Sequence, residues 1–497
     1  MGFKESASFA TYLSMGAVAA RATALDLRDS HGHRPIELER YAMSNKIWQQ
    51  KVKRLRMPDL VCVNCGLRVE SRGKSKLGVI LSHSDTVGRE WFGGGMRPAD
   101  LFAFSYVDVS SPTPITGAAT YLTHDSLTQA AAHAKVGPPK SATAGSERSI
   151  EWPTYVPSMD GVLEEPPALL VAPTTPSLYI RKANGVLQTY SAWANWPTRN
   201  RYLPYGTPIV GGQTIVAGAA SAATPAQTDC PGAIWDIGAD LTSNDPIDRF
   251  AAVKAAGYLP APDLMAIISG ITDHPDTDWR LQMEALSTLS RLGVVEAVGR
   301  LEAVVFSDGS DDRRMEAVLI LAEVDEPAAT EALVAVAASL ELPSEVRSAA
   351  VWGLGQGVRP EPIAVINYIG DVDDAVALHA AAAISTPDAT VAAALGALLA
   401  GAPRIAEAAA IVLLRNGRIP ELLAAARGVG PGQVLALRAL GDIPTAAFAA
   451  VGEVGVTVEF ANELRALWRG LDDWMRQGGV EELDALSLQR IRFGPEI

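Results

Sequence analysis

Cysteine is scarce in this sequence: Cys62, Cys65 and Cys230 are the only three among 497 residues. So few cannot build a disulfide framework, and they fit a reducing, cytoplasmic setting. Long apolar runs are missing too. No stretch nears the roughly 18 uninterrupted apolar residues of a membrane span, so no membrane partner is expected. Thr11, Ser14, Arg21 and Thr23 break up the start, which therefore lacks the compact apolar segment of a secretion signal. Also absent are a Walker A loop, a His-Glu-x-x-His pair, a Gly-x-Ser-x-Gly elbow and a dinucleotide fingerprint. Those absences remove the commonest NTPases, zinc proteases, hydrolases and dehydrogenases. Lysine is nearly lost from the second half, where residues 241–497 hold Lys254 alone.

What is present is a multidomain composition, with 48% hydrophobic and 20% charged residues, the profile of packed globular domains rather than disorder. The formal net charge of −14 is unevenly spread. Residues 1–110 carry 16 Lys/Arg against 11 Asp/Glu, whereas residues 241–497 carry 19 against 36. A basic head on an acidic body implies that only the head meets a polyanion such as DNA. Lys46, Lys51, Lys53, Arg54 and Arg56 cluster without nearby acidic residues, and they form the expected phosphate-facing surface.

The acidic half is repetitive. Met283-Glu-Ala-Leu, Met315-Glu-Ala-Val, Arg347-Ser-Ala-Ala-Val and Leu378-His-Ala-Ala-Ala place alanines at 285, 317, 349 and 381, each 32 residues after the last. Every one sits in a small-and-apolar helical stretch preceded by an acidic or proline-bearing turn. A fixed period with two helices per unit means a solenoid, because one unit cannot bury its apolar face alone. Residues 241–480 resemble the HEAT-repeat family. That resemblance implies an all-α scaffold for a protein partner, with Trp468 and Trp474 in a terminal cap and 481–497 as a C-terminal tail. Ahead of it, 161–222 reads as β: Leu178–Tyr190 alternates around Asn184-Gly185, a two-residue hairpin signal. The Pro-Gly and Gly-Gln rhythm of 203–218 resembles small barrel-sandwich modules, without their lysine modification motif. Residues 111–160, rich in Pro, Ser, Thr and Ala, are expected to be linker or covering, with one helix at 124–134.

The chemistry-bearing constellation lies at Met57–Lys74. Strand-prone residues flank Asn64–Gly66, which predicts a hairpin whose second strand sets Glu70, Arg72 and Lys74 on one face. Asp59 opens the first strand. Two carboxylates beside a cation suit Mg²⁺ or Mn²⁺, which take oxygen ligands, and the cation can stabilise phosphate charge. Pro58-Asp59, Glu70 and Arg72 resemble the PD-(D/E)xK nuclease family, the α/β restriction-endonuclease-like fold, over about residues 34–108 of a nuclease domain at 1–110. The resemblance implies Mg²⁺ on Asp59 and Glu70, a catalytic cation at Arg72 or Lys74 (the family prefers lysine where Arg72 stands), and Glu37 or, by preference, Glu39 supplied from a helix over 36–48. Cutting both strands of DNA would be easiest for a homodimer. Cys62-x2-Cys65-Gly66 has the spacing of half a zinc knuckle, its completion open among His31, His33, His83 and Cys230; the plain alternative is two small residues in a turn.

The expectation is thus a multidomain α+β chain that cleaves DNA with a metal ion in restriction or antiviral defence. The alternative is a non-enzymatic helical-repeat adaptor with a basic nucleic-acid- or protein-binding head.

Overall fold

A computed structural model describes residues 7–38, 57–138, 148–165, 177–191, 205–217 and 223–441. Short gaps fall at 77, 85–90, 92–94, 109–114, 117–118, 153, 213, 215, 260–261, 275–276, 308, 385–386 and 429–430. The described residues form two compact units that part near residue 270.

The first unit opens with helix α1 (Ala7–Asp29). Strands β1 (Pro35–Glu37), β2 (Leu60–Cys62) and β3 (Arg68–Lys74) then run as an antiparallel meander. β5 (Leu101–Asp108) joins β3 in parallel, with Glu70 level with Phe102 and Arg72 level with Phe104. Strands β6 (Ile115–Thr116) and β7 (Thr120–Thr123) each pair antiparallel with β5. Helix α2 (His124–Gln129) follows, capped by Thr123, whose side chain accepts from the Ser126 amide.

β5 opens as a continuous apolar run, Leu101–Phe104, because both its faces are buried there. On one face Leu101 and Ala103 pack with Leu60, Val69 and, from α1, Ala24 and Leu27. α1 lies close enough that a Cβ at Gly73 would sit 2.6 Å from the Met15 carbonyl oxygen. On the other face Phe102 and Phe104 pack against a second sheet of β4 (Val79–His83), β8 (Lys135–Val136) and β9 (Arg148–Trp152). Trp152 is wholly buried there, its indole N–H donating to the Ala130 carbonyl. The stretch 111–160, expected as linker or covering, therefore supplies strands and core.

The helix expected over 36–48 begins instead as strand β1. Ile36 and Leu38 are both fully buried, which marks a strand period rather than a helical one, and the remainder, with Glu39, lies outside the described residues. The β module is a four-stranded antiparallel sheet of β11 (Gly161–Glu164), β12 (Ser177–Arg181), β13 (Leu187–Ser191) and β14 (Pro208–Ile209), in the order β13-β12-β11-β14. Its β12–β13 hairpin turns through Gly185 at φ +82°, a conformation glycine adopts without cost. A two-stranded pair, β10 (Thr154–Tyr155) with β15 (Val216–Ala217), lies beside it in sequence.

Helices α3 (Pro225–Thr228), α4 (Ile237–Leu241) and α5 (Pro246–Ala256) still belong to the first unit. Lys254, the single lysine of the second half, is buried and donates to the Leu38 carbonyl at 3.1 Å. Helix α5, which falls within the 241–480 expected as repeats, thus belongs to the first unit. After α6 (Pro262–Asp273), the second unit alternates two rows of helices. The first row is α7 (Trp279–Arg291), α9 (Asp311–Leu321), α11 (Ser344–Gln356), α13 (Asp374–Ala383), α15 (Pro403–Arg415) and α17 (Pro431–Gly441). The second is α8 (Val295–Phe306), α10 (Pro327–Ala338), α12 (Pro362–Ile366), α14 (Ala389–Leu398) and α16 (Ile419–Ala426). Each first-row helix packs on the next in its row as well as on at least one second-row neighbour, which is the solenoid geometry the repeat period implies. Ala285, Ala317, Ala349 and Ala381 are 0–3% exposed and leave room for that close stacking. The expected cap around Trp468 and Trp474 lies outside the described residues.

Candidate functional site

The β2–β3 hairpin folds as the sequence implies, and its turn is a knuckle. Gly66 adopts φ +74°, and its main-chain N–H donates back to the Cys62 carbonyl at 2.8 Å. A Cβ there would stand 2.9 Å from the Trp235 indole, so only glycine fits on both counts. The segment after α3 laces onto this turn: the amides of Ile234 and Trp235 both donate to the Asn64 carbonyl, and the Cys230 amide donates to the His31 carbonyl.

The result is a four-residue cluster of donor atoms, His33, Cys62, Cys65 and Cys230, all within 4.8 Å of one another. Cys62 Sγ lies 4.0 Å from Cys230 Sγ, and His33 Nδ1 lies 3.5 Å from Cys65 Sγ. His33 is 4% exposed, with its other ring nitrogen, Nε2, 2.7 Å from the Thr228 carbonyl. The Arg34 amide donates to Cys62 Sγ at 3.4 Å, and all three cysteines are free thiols.

Electrostatics separates the sulfurs. A hydrogen bond from Cys65 holds the Cys62 thiol well below its usual range, against the effect of burial and aided by His33 and the Arg34 amide. Cys65 is pushed up by its bond to Cys62 and by burial. Burial is also the main cause raising Cys230. Of the residues left open to complete the half-knuckle, His33 and Cys230 stand beside Cys62 and Cys65. His31 turns to Asp229 at 2.8 Å, and His83 lies on β4 with its Nδ1 near the Trp91 amide.

The carboxylate constellation lies further along the same hairpin. Asp59 stands one residue before β2, level with Glu70 when the Leu60–Val69 register is continued. Its Oδ2 accepts from the Ser71 amide at 2.7 Å. Glu70 is ion-paired with Arg72, and Lys74 donates to the Ile80 carbonyl at 2.7 Å. Glu39, Lys46, Lys51, Lys53, Arg54 and Arg56 lie outside the described residues. Sequence reasoning passed over Arg68 in the same strand. Its side chain is 1% exposed and ion-paired with Asp248, and an Arg opening a charged strand carries no signal that distinguishes it.

Neither a family model nor a curated protein matches the sequence. Among solved structures, human deoxyhypusine hydroxylase in complex with glycerol is 20% identical, over 47% of this chain and 95% of that one, with a TM-score of 0.21. Yeast importin-beta is 14% identical over 50% of this chain and 41% of its own, TM-score 0.24. The complex of CpcE and CpcF of phycocyanin lyase from a Nostoc species is 19% identical over 48% and 93%, TM-score 0.21. Similarity this low carries no functional argument, and the helical-repeat architecture stands on its own packing. Among the described residues no helix is long and apolar enough to cross a membrane.

Proposed function

We propose that the chain is an adaptor: a helical-repeat scaffold that engages a protein partner and carries an N-terminal α/β head that contacts nucleic acid. One observation carries this reading. The stacked rows leave apolar side chains exposed at corresponding places, where the chain passes from a second-row helix into the next first-row helix. Phe306 is 46% exposed, Leu340 74% and Val372 84%. Exposed Glu341 and Asp374 stand beside them. A row of exposed apolar groups on an acidic body suits a partner with apolar anchors and a basic rim. Cross-linking in cells tests this. The wild-type chain should give a discrete adduct that the triple variant Phe306→Ser, Leu340→Ser, Val372→Ser loses at unchanged helicity. An adduct that survives in the variant places the contact elsewhere.

A second reading, a Mg²⁺- or Mn²⁺-dependent DNA nuclease, is favoured by the placement of Asp59, just before β2, level with Glu70 on β3, with Arg72 and Lys74 beyond. Plasmid incubated with the full chain and Mg²⁺ or Mn²⁺ separates the two. Nicking that disappears in both Asp59→Ala and Glu70→Ala supports the nuclease. Binding without cleavage, falling as salt rises because neutralised phosphates release counterions, supports the adaptor.

A further inference from the structure

We propose that His33, Cys62, Cys65 and Cys230 hold one zinc ion in a closed, structural site. Three thiolates and an imidazole select zinc, because soft sulfur donors exclude Mg²⁺ and a tetrahedral S₃N set is a structural-zinc ligand set. The spacing agrees. Zn–S bonds of about 2.3 Å and a Zn–N bond of about 2.0 Å give a tetrahedron with S···S edges of about 3.8 Å and S···N edges of about 3.5 Å. The cluster has 4.0 Å between Cys62 and Cys230 sulfurs and 3.5 Å between Cys65 Sγ and His33 Nδ1.

The surroundings fit as well. His33 turns Nδ1 to the sulfurs while Nε2 meets the Thr228 carbonyl at 2.7 Å, the outer contact that fixes the tautomer of a metal-bound histidine. The Arg34 amide aims at the Cys62 sulfur, which steadies a thiolate. Four protein donors leave no open position for water or substrate, so the ion stabilises rather than catalyses. It staples three segments that are far apart in sequence: the turn after α1, the β2–β3 knuckle and the stretch entering α4. Binding replaces the protons on the thiols, so zinc uptake releases protons and part of its binding free energy becomes folding free energy.

The test uses the full chain purified in reductant without chelator. Elemental analysis should find about one zinc per chain. Exchange for Co²⁺ should give tetrahedral visible bands and a sulfur-to-cobalt charge-transfer band of the strength expected for three thiolates. Cys230→Ser should lose the metal while Cys230→His, which restores a zinc donor, keeps it. Chelation should lower the thermal midpoint, with recovery on adding Zn²⁺ and not Mg²⁺. If Cys230→Ser fails to fold, the wild-type cobalt spectrum still decides. A charge-transfer band of one thiolate or none refutes the site. So does a folded, reduced chain that takes up neither Zn²⁺ nor Co²⁺, stoichiometric iron in place of zinc, or zinc retained in both Cys230→Ser and His33→Ala.

Discussion

Removing one partner of the Arg68–Asp248 pair should cost different amounts depending on which is removed. The Arg68 side chain is 1% exposed and that of Asp248 is 22% exposed. Besides the ion pair, Arg68 Nη1 donates to the Gly95 carbonyl at 2.6 Å, and its Nε has no hydrogen-bond partner among the described residues. Asp248→Ala leaves a buried guanidinium with the Gly95 carbonyl as its hydrogen-bond acceptor and only the charge of the neighbouring buried Asp100 to offset it, which puts its cost within the range for a broken buried pair, about 3–5 kcal/mol. Arg68→Met leaves a carboxylate that water already reaches, and the thioether fills most of the vacated volume, so about 2–3 kcal/mol is expected. The double variant removes both charges and should cost less than the sum by about 2 kcal/mol. Hydrogen exchange at the β3 amides of the full chain reads this unit without interference from the helical repeats. Additive costs, or Arg68→Met proving the worse of the two single variants, would refute the reasoning.

Helix spacing in the solenoid gives a second test. Gly to Ala inside a helix ordinarily stabilises by about 1 kcal/mol, and Gly299→Ala should do so, since nothing lies within 4 Å of a Cβ there. Gly355→Ala should instead destabilise by about 1–2 kcal/mol, the cost of overpacking, because its Cβ would meet that of Ala383 at 2.6 Å; urea unfolding followed by far-ultraviolet circular dichroism reads both. A third concerns pH. Burial pushes His379 down from 6.5 to about 4, so between those values the unfolded chain binds the proton and the folded chain does not. Stability of the repeats should fall as pH drops through that window and be fully present above it. His379→Leu should flatten the fall in urea midpoints from pH 6.5 to 4, and an unchanged slope would rule the histidine out as its source.

How much of this was legible in the sequence depends on contact distance along the chain. The solenoid was, because each repeat touches its neighbours and the 32-residue spacing of Ala285, Ala317, Ala349 and Ala381 states the packing directly. The knuckle was, because Asn64, Cys65 and Gly66 encode their own turn. The second sheet was not: β4 pairs with β9 from Val79–Trp152 to His83–Arg148, and nothing local to either strand names the other. The four-donor cluster was half legible for the same reason. Cys62 and Cys65 announce a pair, whereas Cys230 reaches Cys62 across 168 positions, and the sequence alone could not choose it and His33 from among four candidates. The carboxylate face was legible as a register, yet only the structure gives the partners that Asp59 and Glu70 already hold.

That same long-range wiring moves the boundary of the head. A sequence-based cut at residue 110 looks natural, since composition changes there. Such a fragment would lose β7, which covers one edge of β5 from Leu101 to Phe104, and β9, whose fully buried Trp152 fills the core behind Phe102 and Phe104. It would also lose Cys230, Asp248 as partner of the buried Arg68, and Lys254, which donates to the Leu38 carbonyl. Loss of the buried Trp alone costs about 3–5 kcal/mol, and stranding Arg68 adds a comparable amount, against a total stability of about 5–15 kcal/mol for an ordinary domain. Residues 1–110 should therefore be unfolded in isolation. A fragment ending at residue 258, just after α5, keeps every one of these contacts and should fold. Amide dispersion in NMR spectra of the two fragments decides the matter, and a well-dispersed spectrum from residues 1–110 would show that the return of α3–α5 is decoration rather than part of the head.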